Sequence, residues 1–350
     1  MSSRRVKAYC SIRTLALYVL SCEKMTSAEG VVVFNDEREE QRGGDPFDIF
    51  SIPPINDDYE KYVDLYVEPL SHITQTGPLV FKWETLGGEK WDSSKTEAEI
   101  HYSIVKANGD PTTDADNLSV INSLPIANFS NIELKMNDKI VTNSSSGNHA
   151  YHAYFMQKSS YGKDVKKEIM KKTEGYFEEE GDNMNQFTFT KDTTKNPATI
   201  INDVFKKKHD MFVSPANDVV TRTQLYLDLT QVHQYYPTDI DYVMTFTRNP
   251  ESFCLLTKPA NDGAYKIVIK RMRLIIRKII PSDHMIKRET QLLHKDKRKA
   301  FIPFTHTCMT TRLLQANTQK QTFLDVCGTL PSLPKQLFVF MVDHTAFVGK

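Results

Sequence analysis

The chain has 350 residues, 40% hydrophobic and 25% charged, which suits one large folded domain or two ordinary ones and excludes disorder along its whole length. Its 44 basic and 44 acidic residues cancel, so any electrostatic role must be local. Five scattered cysteines, Cys10, Cys22, Cys254, Cys308 and Cys327, form no CxxC pair, which argues against a disulfide framework or a structural zinc site and for a reducing compartment.

At the N-terminus, Arg4, Arg5 and Lys7 precede an apolar run from Leu15 to Leu20. About six residues is shorter than a secretory core of roughly 7 to 15 and far short of a membrane span. Asp36 to Gly44 is too polar to fold. Residues 1–44 are therefore expected to be a disordered or mis-annotated extension that adds nothing to the fold, with Met25 as an alternative start.

From Asp45 the recurring signal is alternation with period two. Ala98, Ile100, Tyr102 and Ile104 alternate with Glu97, Glu99, His101 and Ser103, the pattern of a half-buried antiparallel strand. Ile132, Leu134 and Met136 repeat it, and Asn137-Asp138 supplies a tight turn into Lys139-Ile140-Val141. Further strands are expected at Phe187 and Phe189, at Leu225, Leu227 and Leu229, and from Ile240 to Phe246. Leu337 to Val342 reads as a strand buried on both faces. One helix is expected over Tyr151, Tyr154, Phe155 and Lys158, capped by Asn148 and stopped near Gly162, and a second, on the surface, over Lys163 to Tyr176.

Many antiparallel strands with few helices predict an all-β chain, a sandwich or jelly roll. The length predicts two such units, 45–258 and 262–350, divided where Pro, Asn, Asp and Gly cluster in Lys258 to Gly263.

Signals for chemistry are sparse. No GxxxxGK[ST] or GxGxxG string occurs. His149 and His152 sit one helical turn apart, yet no Cys or carboxylate at ligand spacing accompanies them, so they read as surface or hydrogen-bonding histidines rather than metal ligands. His306 and Cys308 share a strand face and would make a base and nucleophile only if a third group oriented the base. Glu178, Glu179 and Glu180 read as a solvated turn. The sequons at Asn117, Asn128 and Asn143 matter only in a secreted chain. No catalytic, cofactor or metal site is expected.

The main electrostatic asymmetry runs from Lys266 to Lys299, with twelve Lys or Arg against three Asp or Glu. Within it Arg271, Arg273 and Arg277 share one strand face, and Met272, Leu274 and Ile276 the other. Tyr265, Ile267 and Ile269 lie on the opposite parity, so a bulge is expected near Lys270-Arg271, with the apolar face entering the second jelly-roll core. The arginines are expected to contact a neighbouring protein's carboxylates, the alternative being that they face genome inside a shell, and to bind nucleic acid only weakly and nonspecifically.

Asp48 to Pro54 (DIFSIPP), then Tyr62 with Pro69-Leu70 and Pro78 to Phe81, resemble the opening of the major capsid proteins of Polinton (Maverick) elements and adintoviruses. Asn128 to Val141 (NFSNIELKMNDKIV), followed by Tyr151 to Phe155 and Ser160 to Gly162, is similar to that family's strand, turn and helix block. Leu225 to Leu229, Arg248 with Phe253 to Leu255, Tyr265 to Lys278, and Leu330-Pro331 to Gly349 resemble its later blocks in the same order.

The resemblance covers roughly residues 46 to 350. It implies a double jelly roll whose homotrimers form pseudo-hexagonal capsomers of a virion, a structural role without catalysis. It further implies an intracellular stage before assembly and contacts with neighbouring capsomers and other capsid proteins such as a penton, with no membrane partner. Similar proteins continue beyond the segment matching Ala346 to Gly349, so the second jelly roll is expected to be incomplete and the chain a decayed endogenous copy. The alternative is a cellular jelly-roll module that binds glycans or peptides.

Overall fold

The computed structural model describes residues 14–23, 59–143, 148–178, 186–189, 191–192, 199–200, 202–213, 218–232, 234–258, 261, 263–297, 299–315 and 336–344. In chain order its strands are β1 (Thr14–Glu23), β2 (Tyr59–Val67), β3 (Leu79–Thr85), β4 (Lys90–Lys106), β5 (Leu118–Val120), β6 (Phe129–Met136), β7 (Lys139–Asn143), β8 (Lys191–Asp192), β9 (Thr199–Ile200), β10 (Val219–Gln224), β11 (Ile240–Arg248), β12 (Leu255–Thr257), β13 (Tyr265–Pro281), β14 (Thr305–Leu313) and β15 (Gln336–Asp343). The chain is all-β, with short helices in the connections.

Alternation makes the long strands. Ala98, Ile100, Tyr102 and Ile104 of β4 are buried on one face, as the period of two dictates. Asn137 and Asp138 both take positive φ, 45° and 63°, which sets the tight turn between β6 and β7. Two four-stranded antiparallel sheets result, ordered β10-β4-β13-β2 and β3-β11-β6-β7. Counting only these eight strands from first to eighth, the orders are 6-3-8-1 and 2-7-4-5, the interleaving of a jelly roll. Phe81, Leu134, Met244 and Phe246 from one sheet meet Ile100, Tyr102, Met272 and Leu274 from the other in one core. Trp91 and Trp83 pack edge to face at 5.3 Å, with Tyr242 stacked on Trp83.

The bulge expected near Lys270 is present, because the register of β13 on β4 shifts between Ile269 and Arg271. It lets Ile267 and Ile269 before it, and Met272, Leu274 and Ile276 after it, enter the same core. That core belongs to the first sandwich and not to a second one. The division placed at 258–262 therefore cuts off the eighth strand, since β13 lies between β4 and β2.

Beyond the sandwich, β1 runs between β14 and β15, antiparallel to both. The expectation that all of residues 1–44 stay outside the fold fails for Thr14–Glu23, where a short apolar run too brief for a membrane is long enough for a central strand. The helix His149–Ser160 separates this sheet from the sandwich: Tyr151 and Phe155 pack with Met309, Phe338, Phe340 and Val342. Burial on both sides explains why this helix shows no single apolar stripe. In β15, Leu337, Val339 and Met341 are exposed, so the strand is covered on one face only.

Three other expectations change. Leu225, Leu227 and Leu229 are buried but form a turn into a 3-10 helix, Asp228–Gln231, because Tyr226 adopts φ 48° and breaks the strand. Phe187 and Phe189 belong to no strand and pack instead on Phe205 of the helix Asp203–Phe212. The helical stretch 163–173 is not wholly superficial, since Lys166 and Met170 are buried.

Candidate functional site

The arginines of β13 project from the outer face of the sheet β10-β4-β13-β2. Arg277 donates from Nε and a terminal nitrogen to the two oxygens of Asp64 on β2, at 2.8 and 3.1 Å, and its guanidinium lies over the Tyr62 ring. Arg273 pairs with Glu99 of β4 at 2.7 Å and lies over the Tyr66 ring. Arg271 pairs with Glu68. Burial alone would raise the Glu99 carboxyl, but Arg273, His101 and Arg222 around it outweigh that and hold it down at about 2. The sequence expectation set these arginines against a neighbouring protein's carboxylates; the carboxylates they meet here are the chain's own, Asp64 on β2, Glu68 just after it and Glu99 on β4.

The histidines singled out in the sequence meet elsewhere, around Asp228. His306 at the start of β14 hydrogen-bonds through Nδ1 to Asp228 Oδ2 at 3.0 Å, and the Thr307 amide donates to the same oxygen at 2.8 Å. His152 Nε2 lies 3.8 Å from the other carboxylate oxygen, Oδ1. One turn back along the helix, His149 is completely buried and neither ring nitrogen has a hydrogen-bond partner. Burial, with His152 nearby, holds His149 down at about 3. Burial also lowers His152, opposed by the charge of Asp228 and assisted by His306. His149 is thus neither a surface nor a hydrogen-bonding histidine, as its spacing suggested. It lines a small apolar cavity with Ile100, Ile126, Phe129, Leu225 and Phe246.

Asp228 is the carboxylate that no sequence spacing could supply. It also orients His306, as a base beside Cys308 would require, but the Cys308 side chain lies outside the described residues. Among the described residues no group of three His, Cys, Asp or Glu side chains is arranged to hold a metal ion.

At the far end of the same helix face, Glu174 is buried and accepts from Gln157 at 2.6 Å, from Tyr226 at 2.9 Å and from Thr223 at 3.1 Å. Burial raises its carboxyl to about 7 despite those three donors. Gln157 in turn accepts from Ser123 at 2.8 Å. Tyr226 and Ser123 both hold positive φ, 48° and 53°, so two strained backbone positions feed one buried polar network. Nothing in the local sequence marks Glu174, which needs a partner 52 residues away in Tyr226.

The remaining candidates stay apart from both clusters. Glu178 lies 3.8 Å from Lys158, while Glu179 and Glu180 lie outside the described residues. Asn128 is buried, and Asn117 accepts from the Phe189 amide. The side chain of Asn143 lies outside the described residues. Cys254 is a free, buried thiol that burial pushes well up. No described helix is long and apolar enough to cross a membrane.

No protein family matches the chain, and no curated protein does. Among solved structures, the Faustovirus major capsid protein is similar over 69% of this chain and 59% of its own length, at 10% identity and a TM-score of 0.31. The chain thus matches less than two thirds of that protein.

Proposed function

We propose that this chain is a structural shell protein, a major capsid protein of the Polinton and adintovirus kind, which acts as a homotrimer in pseudo-hexagonal capsomers. The observation that carries this reading is where the resembling blocks fall. The block 128–141 coincides with the β6–β7 hairpin, 151–155 lies in the bridging helix, 265–278 lies in the eighth sandwich strand, and the described part of the block 330–349 contains β15. They are thus spaced through a jelly roll and the sheet beside it, in order. In this reading the sandwich ends with β13, and the sheet β14-β1-β15 belongs to the second unit.

The trimer is tested by multi-angle light scattering of the full chain over a rising concentration series, followed by electron microscopy. Three-copy particles with a hexagonal outline are expected. A monodisperse monomer at high concentration overturns the proposal.

A further inference from the structure

Three parts of the molecule meet at Asp228. The 3-10 helix of the sandwich supplies the carboxylate, β14 supplies His306 and the Thr307 amide, and the bridging helix supplies His152 with His149 behind it. We propose that this junction is an acid-operated release, through which the helix His149–Ser160 and the sheet β14-β1-β15 come away from the sandwich as protons bind the helix histidines.

The geometry gives the direction. His149 and His152 point the same way from one helix, and both are buried against the sandwich, at 0% and 8% exposure. No acceptor contacts either ring nitrogen of His149, and His152 Nε2 lies too far from Asp228 for a hydrogen bond. A charged imidazolium at either place would sit in low dielectric without a full partner. Asp228 has committed Oδ2 to β14 and leaves Oδ1 at 3.8 Å from His152, and a proton on His306 adds a positive charge that opposes one on His152.

Released into water, each helix histidine takes up a proton near pH 6.5. Docking that is complete above that pH is thus weakened below it, because the released state binds protons that the docked state excludes. The groups acting on these two histidines are each other, Asp228 and His306.

Glu174 acts in the opposite sense. It is bonded to the same helix through Gln157, and the docked state holds its proton up to about pH 7. Between pH 4.5 and 6.5 it offsets one of the two histidines, which leaves about one net proton, and each net proton is worth about tenfold per pH unit.

The test is hydrogen exchange by mass spectrometry on the full chain at pH 7.5 and pH 5, corrected for intrinsic rates. Protection of 149–160 and 305–313 is expected to fall by roughly tenfold, while β3 and β11 keep theirs. In Glu174→Gln the fall steepens, and in the double variant His149→Phe with His152→Gln it disappears. Unchanged protection in the parent chain, an equal fall in β3 and β11, or the same fall in the double variant overturns the proposal. A measurement that needs no variant is exchange of the histidine C2 hydrogens against pH. Depressed titration of both His149 and His152 is expected, and ordinary profiles for both would sink the idea.

Discussion

Arg277 and Asp64 stand directly opposite one another on neighbouring strands, and the guanidinium engages both carboxylate oxygens while covering Tyr62. The pair holds β2, an edge strand, against β13. Both side chains are about 30% exposed, so solvent screens the attraction and limits its value to roughly 1 kcal/mol. Arg277→Met should lower stability by about that much, read from the urea midpoint, and the loss should shrink in 1 M salt. A salt-independent loss would mean that packing on Tyr62, rather than charge, holds the edge.

The same pairing bears on nucleic acid. Arg271, Arg273 and Arg277 each have a carboxylate partner, so a phosphate would have to displace Glu68, Glu99 or Asp64. Replacing all three arginines with Gln should leave DNA affinity, measured by fluorescence anisotropy at 50 and 200 mM salt, weak and nearly unchanged. A steep salt dependence in the parent chain that the variant lacks would show these arginines binding phosphates.

Gly175 tests how closely the helical stretch 163–173 is seated on the sandwich. It has φ 67°, and a Cβ added there would lie 2.1 Å from the Phe212 ring. Phe212 is fully buried in the core, so it has little room to move. Gly175→Ala should therefore cost about 2–4 kcal/mol, from backbone strain and overpacking together, read as a lowered melting temperature. A cost under 0.5 kcal/mol would mean that the ring moves freely.

What could be read from the sequence was whatever depends on neighbours two residues apart. β4, β11 and the β6–β7 hairpin obey that rule, and even the parity change at Lys270 was visible as a break in it. The same rule misled at Leu225, Leu227 and Leu229, where alternation continues but Tyr226 turns the backbone to reach Glu174. The helix Asp203–Phe212 does have a local start signal, since Asn202 caps the Phe205 amide and Asp203 follows. The Asp228 cluster is different in kind. His149, His152, Asp228 and His306 converge only when the helix and β14 dock, and no local period encodes that.

The N-terminal strand ties residues far apart in the chain into one sheet. β1 is the middle strand of its sheet, paired from Leu15 to Glu23 with β14 and from Thr14 to Ser21 with β15. Deleting residues 1–44 would leave two strands without their common partner and expose unpaired N–H and C=O groups. The shortened chain should aggregate more readily and lose exchange protection in 305–313 and 336–343, while β4 and β11 hold theirs. Unchanged protection in those segments would place residues 14–23 outside the fold after all.

Glu174 gives a stability test whose sign is opposite to that of a salt-bridged acid. Its carboxyl titrates at about 7 in the folded chain against an ordinary value of 4.5, because burial disfavours the charge. The folded state therefore holds this proton more tightly than the unfolded one. Its stabilising effect is complete below pH 4.5 and fades as pH rises to 7, a change of about 3 kcal/mol over that window. Above pH 7 the fold carries a buried charge met by hydrogen bonds from Tyr226, Thr223, Gln157 and the Gln224 backbone. Glu174→Gln keeps the size of the side chain and removes the charge, so the variant should be more stable than the parent at pH 8, and the advantage should fall toward zero near pH 4.5. Urea denaturation of both chains at the two pH values reads the difference. A variant less stable than the parent at pH 8 would mean that these donors need a full carboxylate, and that their hydrogen bonds outweigh the cost of burying it.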